Sequence, residues 1–194
     1  MKNITYTEFK DFFMIKKEPK RKYEYNCLMA TLDVDKELWS QFTSNIDEND
    51  LYTEIGNSRY GIENENHVTI LYGIHQEEDP LKVVNFAESL TEFTVTIGEL
   101  SLFENKLFDV LKFDINDSRL TQLNSQLREL VEYTSTYPDY HAHMTVAYLK
   151  PGMGKKYLDL VANFDKTILI KEMEYGVVNG SKIFIQLQKD GKDI

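Results

Sequence analysis

Cysteine, positive charge and long apolar runs are all scarce in this 194-residue chain, and each scarcity removes a class of protein. The lone Cys27 cannot close an internal disulfide, and within the apolar run Asn26-Cys-Leu-Met-Ala its thiol is expected to behave as a small hydrophobe in a reducing cytoplasm. No window approaches the roughly 20 uninterrupted apolar residues of a membrane helix, and Met1-Lys2-Asn3-Ile4 lacks the apolar core of a secretory signal, so no membrane partner is expected. Lys and Arg number 22 against 32 Asp and Glu, a net charge of −10. Coating long nucleic acid requires neutralising many phosphates along a basic surface, which this balance argues against. A small phosphate-bearing substrate needs only local positive charge in a pocket and stays open. The two basic runs, Lys16-Lys17-Glu18-Pro19-Lys20-Arg21-Lys22 and Lys150 with Lys155-Lys156, fit solvated surface charge.

What the chain does contain is 42% apolar and 12% aromatic residues, enough for a sizeable core. Residues 1–22 read as a short amphipathic helix (Phe9, Phe12, Phe13) and a basic, proline-broken linker, and residues 23–194 as one bilobal unit. Strand patterns are expected over residues 25–32, 67–74 and 141–149. Helices are expected over 36–42, 80–90, 155–164 and the stretch carrying Leu120, Leu123, Leu127, Leu130 and Val131, with Asp117 or Ser118 as its cap. Residues 43–65 read as a long surface loop. Two hairpins complete the pattern, 93–103 with 107–115 and 167–178 with 182–187 across Asn179-Gly180. Helices and antiparallel hairpins thus alternate in two comparable halves, which predicts a two-lobed α+β fold.

Each half contains a strand that opens on the same triplet, His67-Val68-Thr69 and His143-Met144-Thr145. Alternation along a strand puts His67, Thr69 and Leu71 on one face and Val68, Ile70, Tyr72 and Ile74 on the other. The same arithmetic groups His143, Thr145 and Ala147 against Met144, Val146 and Tyr148. A phosphodiester is cleaved when one group takes a proton from the attacking oxygen and another gives one to the leaving oxygen, and imidazole does either near neutral pH. Two threonine hydroxyls can donate to the non-bridging phosphate oxygens, where negative charge is held through the transition state. One His-x-Thr is an ordinary strand tripeptide; two, among only four histidines, point to a shared site.

The paired motifs resemble those of the two-histidine phosphoesterases, whose pattern is His-x-Thr/Ser plus an apolar residue, occurring twice. The resemblance covers about residues 23–188 and implies a bilobal fold of two antiparallel sheets flanked by helices around a central groove. It also implies cofactor-free, metal-free cleavage of cyclic, 3′–5′ or 2′–5′ phosphodiesters. Within that family the chain looks most like phage anti-CBASS phosphodiesterases, which degrade the cyclic oligonucleotide signals of a bacterial defence system. That likeness implies a base-stacking role for Tyr25 and a ligand-binding role for Glu172 or Glu174, between which strand parity does not choose. It makes a small cyclic oligonucleotide the expected partner, and an RNA end or 2′–5′ oligonucleotide the alternative.

Two rival readings use the same residues. His141 and His143 share a strand face and, with His67, form a candidate metal set, although no carboxylate partner stands nearby in sequence. Alternatively the protein binds a cyclic nucleotide as a sponge without cutting it. Gly152-Met-Gly154-Lys155-Lys156 lacks Walker spacing and reads as a turn.

Overall fold

The computed structural model describes residues 23–54, 60–135, 137 and 139–189, so the expected N-terminal helix and basic linker over 1–22 lie outside the described residues. The strands are β1 (Asn26–Thr31), β2 (His67–Ile74), β3 (Phe93–Thr96), β4 (Leu100–Glu104), β5 (Asp109–Asp114), β6 (His143–Leu149), β7 (Thr167–Ile170), β8 (Glu172–Gly176) and β9 (Lys182–Gln186). The helices are α1 (Lys36–Thr43), α2 (Pro80–Glu88) and α3 (Ser118–Leu130). Antiparallel pairing builds one sheet in the order β2-β1-β8-β9, a second in the order β4-β5-β6, and a two-stranded β3-β7 ribbon. This is the expected α+β arrangement, with each His-x-Thr strand at one end of its sheet's order and the two motif strands packed against each other.

Local chemistry explains the helix starts. Asp35, Asp79 and Asp117 each accept from backbone N–H groups of the first turn, so Asp117 rather than Ser118 caps α3. Helix α3 buries Leu120, Leu123 and Leu127, while Leu130, placed on the same apolar face by its spacing, is exposed at the helix end.

Four expectations are corrected. Residues 93–103 are two strands rather than one: β3 pairs with β7 and β4 pairs with β5. The break comes at Gly98, where an added Cβ would lie 2.7 Å from the Asp114 carbonyl oxygen, so the backbone closes in on β5 as only glycine allows. Residues 167–178 break in the same manner at Lys171, between β7 and β8. The helix expected over 155–164 is a single 3₁₀ turn, Gly154–Tyr157. Two tertiary anchors override helical propensity there: the Tyr157 hydroxyl bonds Asp50 and receives the Asp47 N–H, and Phe164 inserts among Trp39, Phe42 and Phe113. Finally, the 43–65 segment, in its described residues 43–54 and 60–65, is more than a surface loop. It lends β6 an outer edge, through Tyr52 N–H to the Tyr148 carbonyl (2.9 Å), Glu63 N–H to Val146 (2.8 Å) and Tyr148 N–H to Gly61 (2.8 Å).

Both motif strands also carry a defect that simple alternation misses. The β1–β2 register skips Ile70, pairing Met29 with Thr69 but Leu28 with Leu71. The β5–β6 register skips Val146, pairing Lys112 with Thr145 but Leu111 with Ala147. Each strand is therefore bulged at the residue directly after its motif threonine, and a bulge shifts the facing of everything beyond it. Leu71 turns inward and Tyr72 is exposed, the reverse of the expected parity; likewise Ala147 is buried and Tyr148 joins the face of His143 and Thr145. The bulge carbonyls are not left bare. Ile70 O accepts from the buried Asn124 side chain of α3 (2.7 Å), and Val146 O from Glu63 N–H.

Candidate active site

On the first sheet, register places Thr31, Met29 and Cys27 of β1 beside His67, Thr69 and Tyr72 of β2, and Glu174 of β8 beside Met29. On the second, Asp114 and Lys112 of β5 stand beside His143 and Thr145, with Ser101 of β4 beyond Lys112. Because β2 packs on β6, the two motif faces share one region. His67 is close enough to His143 to act on its charge.

Both histidines are oriented identically. His67 Nδ1 lies 2.6 Å from the Glu65 carbonyl and His143 Nδ1 lies 2.7 Å from the His141 carbonyl, each two residues upstream. A carbonyl can only accept, so Nδ1 carries the proton and Nε2 is left for proton transfer. His141, exposed itself, thus serves His143 through its backbone. His75 lies at the end of β2, with Nε2 2.8 Å from the Thr134 hydroxyl.

The surroundings of the two rings differ. His143 meets the Phe103 ring edge-on at 5.0 Å, and burial lowers its pKa below the ordinary imidazole value. Its bond to the His141 carbonyl opposes that shift, Lys112 and His67 reinforce it, and Asp114 opposes it. Lys112 is 3% exposed, ion-paired to Asp114, 2.7 Å from the Ser101 hydroxyl and 4.2 Å from the centre of the Phe103 ring. Burial pulls the Asp114 carboxyl upward, but its bonds from Lys112 and Ser101 win and hold it below the usual carboxylate range.

His67 instead borders a cavity of about 520 Å³, along with Trp39, Asn66, Glu174, Lys182 and Phe184. Lys182 bridges Glu65 and Glu174, at 3.2 Å from the latter. Glu174 is 6% exposed, and its Oε1 has no hydrogen-bond donor. Glu172 does not line this cavity; its carboxylate takes the Gln186 amide and its carbonyl accepts from Thr31. The structure therefore brings Glu174, not Glu172, beside His67. Tyr25 stacks on His75 at 6.1 Å and meets Tyr72 edge-on at 5.8 Å, on the motif face beyond Thr69.

Sequence reading missed Lys112, whose signal is a lysine between the buried Leu111 and Phe113 with an aspartate two residues on. It also missed Tyr140, whose hydroxyl donates to the Thr69 carbonyl (2.8 Å) and ties β2 to the segment entering β6. Burial pushes the Cys27 thiol up to about 12, so it stays protonated at neutral pH, as expected of a small hydrophobe rather than a nucleophile. Lys150 donates to the Asn49 carbonyl, while Lys155 and Lys156 pair with Glu104 and Asp50, which accounts for that basic cluster. Among the described residues, His67, His141 and His143 do not gather into a metal-ligating group.

No family model and no curated protein sequence matches the chain. Solved structures do. The apo form of E. coli LigT aligns with a TM-score of 0.52 at 13% identity, covering 85% of this chain and 99% of that one. E. coli LigT complexed with 3′-AMP gives 0.49 at 15% identity, covering 85% and 97%. A crystal structure of a phosphoesterase gives 0.48 at 15% identity, again covering 85% and 97%. The match to apo LigT shows that the chain has the LigT-like phosphoesterase fold.

Proposed function

We propose that this protein is a metal-independent phosphodiesterase that opens cyclic di- or trinucleotides, with His67 and His143 as the acid–base pair and Thr69 and Thr145 as phosphate donors. The observation that carries this reading is the duplicated geometry: two bulged strands packed together, each presenting a histidine whose Nδ1 is tied to the carbonyl two residues upstream. A pair of imidazoles with available Nε2 atoms supplies both proton transfers of a phosphodiester displacement, each worth about 10²–10⁴-fold. The attacking oxygen is a ribose 2′-hydroxyl, giving a 2′,3′-cyclic phosphate, or water, giving a linear product directly.

A small cyclic substrate agrees with the net charge of −10, with Tyr25 and Tyr72 beyond Thr69 as a stacking surface, and with the pocket of Glu174 and Lys182 beside His67. The setting we infer is a phage protein that destroys CBASS signals in the bacterial cytoplasm. The test is a panel of cyclic dinucleotides, cyclic trinucleotides, 2′–5′ oligoadenylate and RNA 2′,3′-cyclic phosphate ends, incubated in EDTA with product identification. Catalytic opening of a cyclic oligonucleotide is expected. Exclusive cleavage of the other two classes overturns the substrate, and ligand recovered intact from the denatured protein overturns catalysis in favour of a sponge.

The threonines give a second expectation. Thr69→Val or Thr145→Val keeps the branched shape and removes the donor, so each lowers kcat/KM by roughly 10²-fold in steady-state assays. A loss under threefold in both contradicts their role as phosphate donors.

A further inference from the structure

The two motifs are alike in backbone and unlike in surroundings, and the difference bears on the direction of proton flow. Around His143, β5 contributes Lys112 and Asp114, β4 contributes Phe103, β2 contributes His67, and His141 lies two residues upstream. The charges of Lys112 and Asp114 cancel, which leaves a half-buried imidazole, edge-on to the Phe103 ring, with no net anion to stabilise its protonated form. Around His67, the cavity carries Asp33, Glu65 and Glu174 against Lys36 and Lys182, a net charge of −1, and it opens to solvent. The surroundings of His67 are therefore the more anionic of the two.

We propose that His143 is the general base and His67 the general acid of the first displacement, and that Lys112 is a positioning residue that keeps His143 neutral. The assignment rests on the phosphodiesterase reading above. His143 Nε2 takes the proton of the attacking hydroxyl as its oxygen bonds to phosphorus. The bond from phosphorus to the leaving oxygen breaks, and His67 Nε2–H supplies the proton that leaving oxygen needs. The pair ends with His143 protonated and His67 neutral, the starting state for the reverse proton roles when water opens a 2′,3′-cyclic phosphate, and otherwise reset by exchange with solvent. Lys112, locked by Asp114 and Ser101 over the Phe103 ring, neutralises the carboxylate that would otherwise stabilise a positive charge at His143.

The experiment uses leaving groups of different basicity with the full-length protein. Adenylyl-(3′→5′)-adenosine loses an alkoxide that must be protonated; adenosine 3′-(p-nitrophenyl phosphate) loses a phenolate that need not be. His67→Ala is expected to lose about 10²–10⁴-fold on the first probe and less than about tenfold on the second, whereas His143→Ala loses about 10²–10⁴-fold on both. The opposite pattern, or equal losses for both variants on both probes, overturns the assignment. Wild-type protein that cleaves neither probe nor any member of the cyclic panel overturns the phosphodiesterase reading itself, a separate result.

Lys112 is tested by the pH profile of kcat/KM. Removing its charge in Lys112→Met makes the His143 imidazolium easier to form, raises the base's pKa and moves the acid limb to higher pH by roughly one unit. Lys112→Arg restores the limb toward wild type. A limb that stays put in the methionine variant, with circular dichroism unchanged, refutes the role of Lys112. If that variant does not fold, an unmoved limb in Asp114→Asn, which leaves Lys112 unopposed and is expected to lower the limb, does the same.

Discussion

His67→Ala and His143→Ala are each expected to lower kcat by about 10²–10⁴-fold on the preferred cyclic substrate while leaving the thermal midpoint close to wild type. Neither ring is a core side chain; each is held mainly by a hydrogen bond to a carbonyl two residues away, so its removal takes out a proton carrier and little packing. The double variant is expected to fall little below the weaker single one, because the two groups act on one transition state and their losses do not add. Rates come from initial velocities at saturating substrate. Near wild-type turnover in either single variant rules out the two-histidine mechanism.

The largest expected effect on stability lies at Gly73, near the end of the first motif strand. Its φ is +100°, and a Cβ added there would stand 1.9 Å from the carbonyl oxygen of Thr134, a backbone atom that cannot swing aside. The same glycine carbonyl accepts from Thr134 N–H at 2.9 Å, so β2 and the segment after α3 are pressed together at this point. Gly73→Ala combines an unfavourable backbone region with a direct clash and is expected to cost roughly 3 kcal/mol or more. At about 2–4 °C per kcal/mol for a domain of this size, the thermal midpoint falls by roughly 6–12 °C, measurable by calorimetry. A change under about 2 °C means that β2 does not end as described.

The motif strands were legible because their signal is local. An apolar run opened by His-x-Thr predicts β2 over its full length and β6 to within two residues. The bulges were not legible: nothing in the composition of Thr69-Ile70-Leu71 or Thr145-Val146-Ala147 distinguishes a bulged strand from a regular one. What stabilises them is tertiary, the Asn124 amide at one and the Glu63 N–H at the other. Strand breaks at Gly98 and Lys171 escaped for a related reason, since each is set by a change of pairing partner from one sheet to another. The failed helix over 155–164 shows apolar spacing satisfied by two separate anchors, Tyr157 and Phe164, instead of one face.

For the site, residue chemistry gave the histidines and threonines, and parity alone left Glu172 and Glu174 equivalent. The fold separates them by placing Glu174 beside His67 and Lys182. Lys112 and Tyr140 were invisible as members of the site because their importance comes from what folding puts next to them, Thr145 and Asp114 for one and the Thr69 carbonyl for the other.

The central claim, that two imidazoles carry the reaction without a metal, is tested most directly by the pH dependence of kcat/KM in EDTA for wild type and each histidine variant. The account predicts a bell for wild type, with an acid limb below the ordinary imidazole value because burial lowers the pKa of His143, and the loss of one limb in each variant. Activity abolished by EDTA and restored by a divalent cation, or a bell that survives both substitutions, contradicts it.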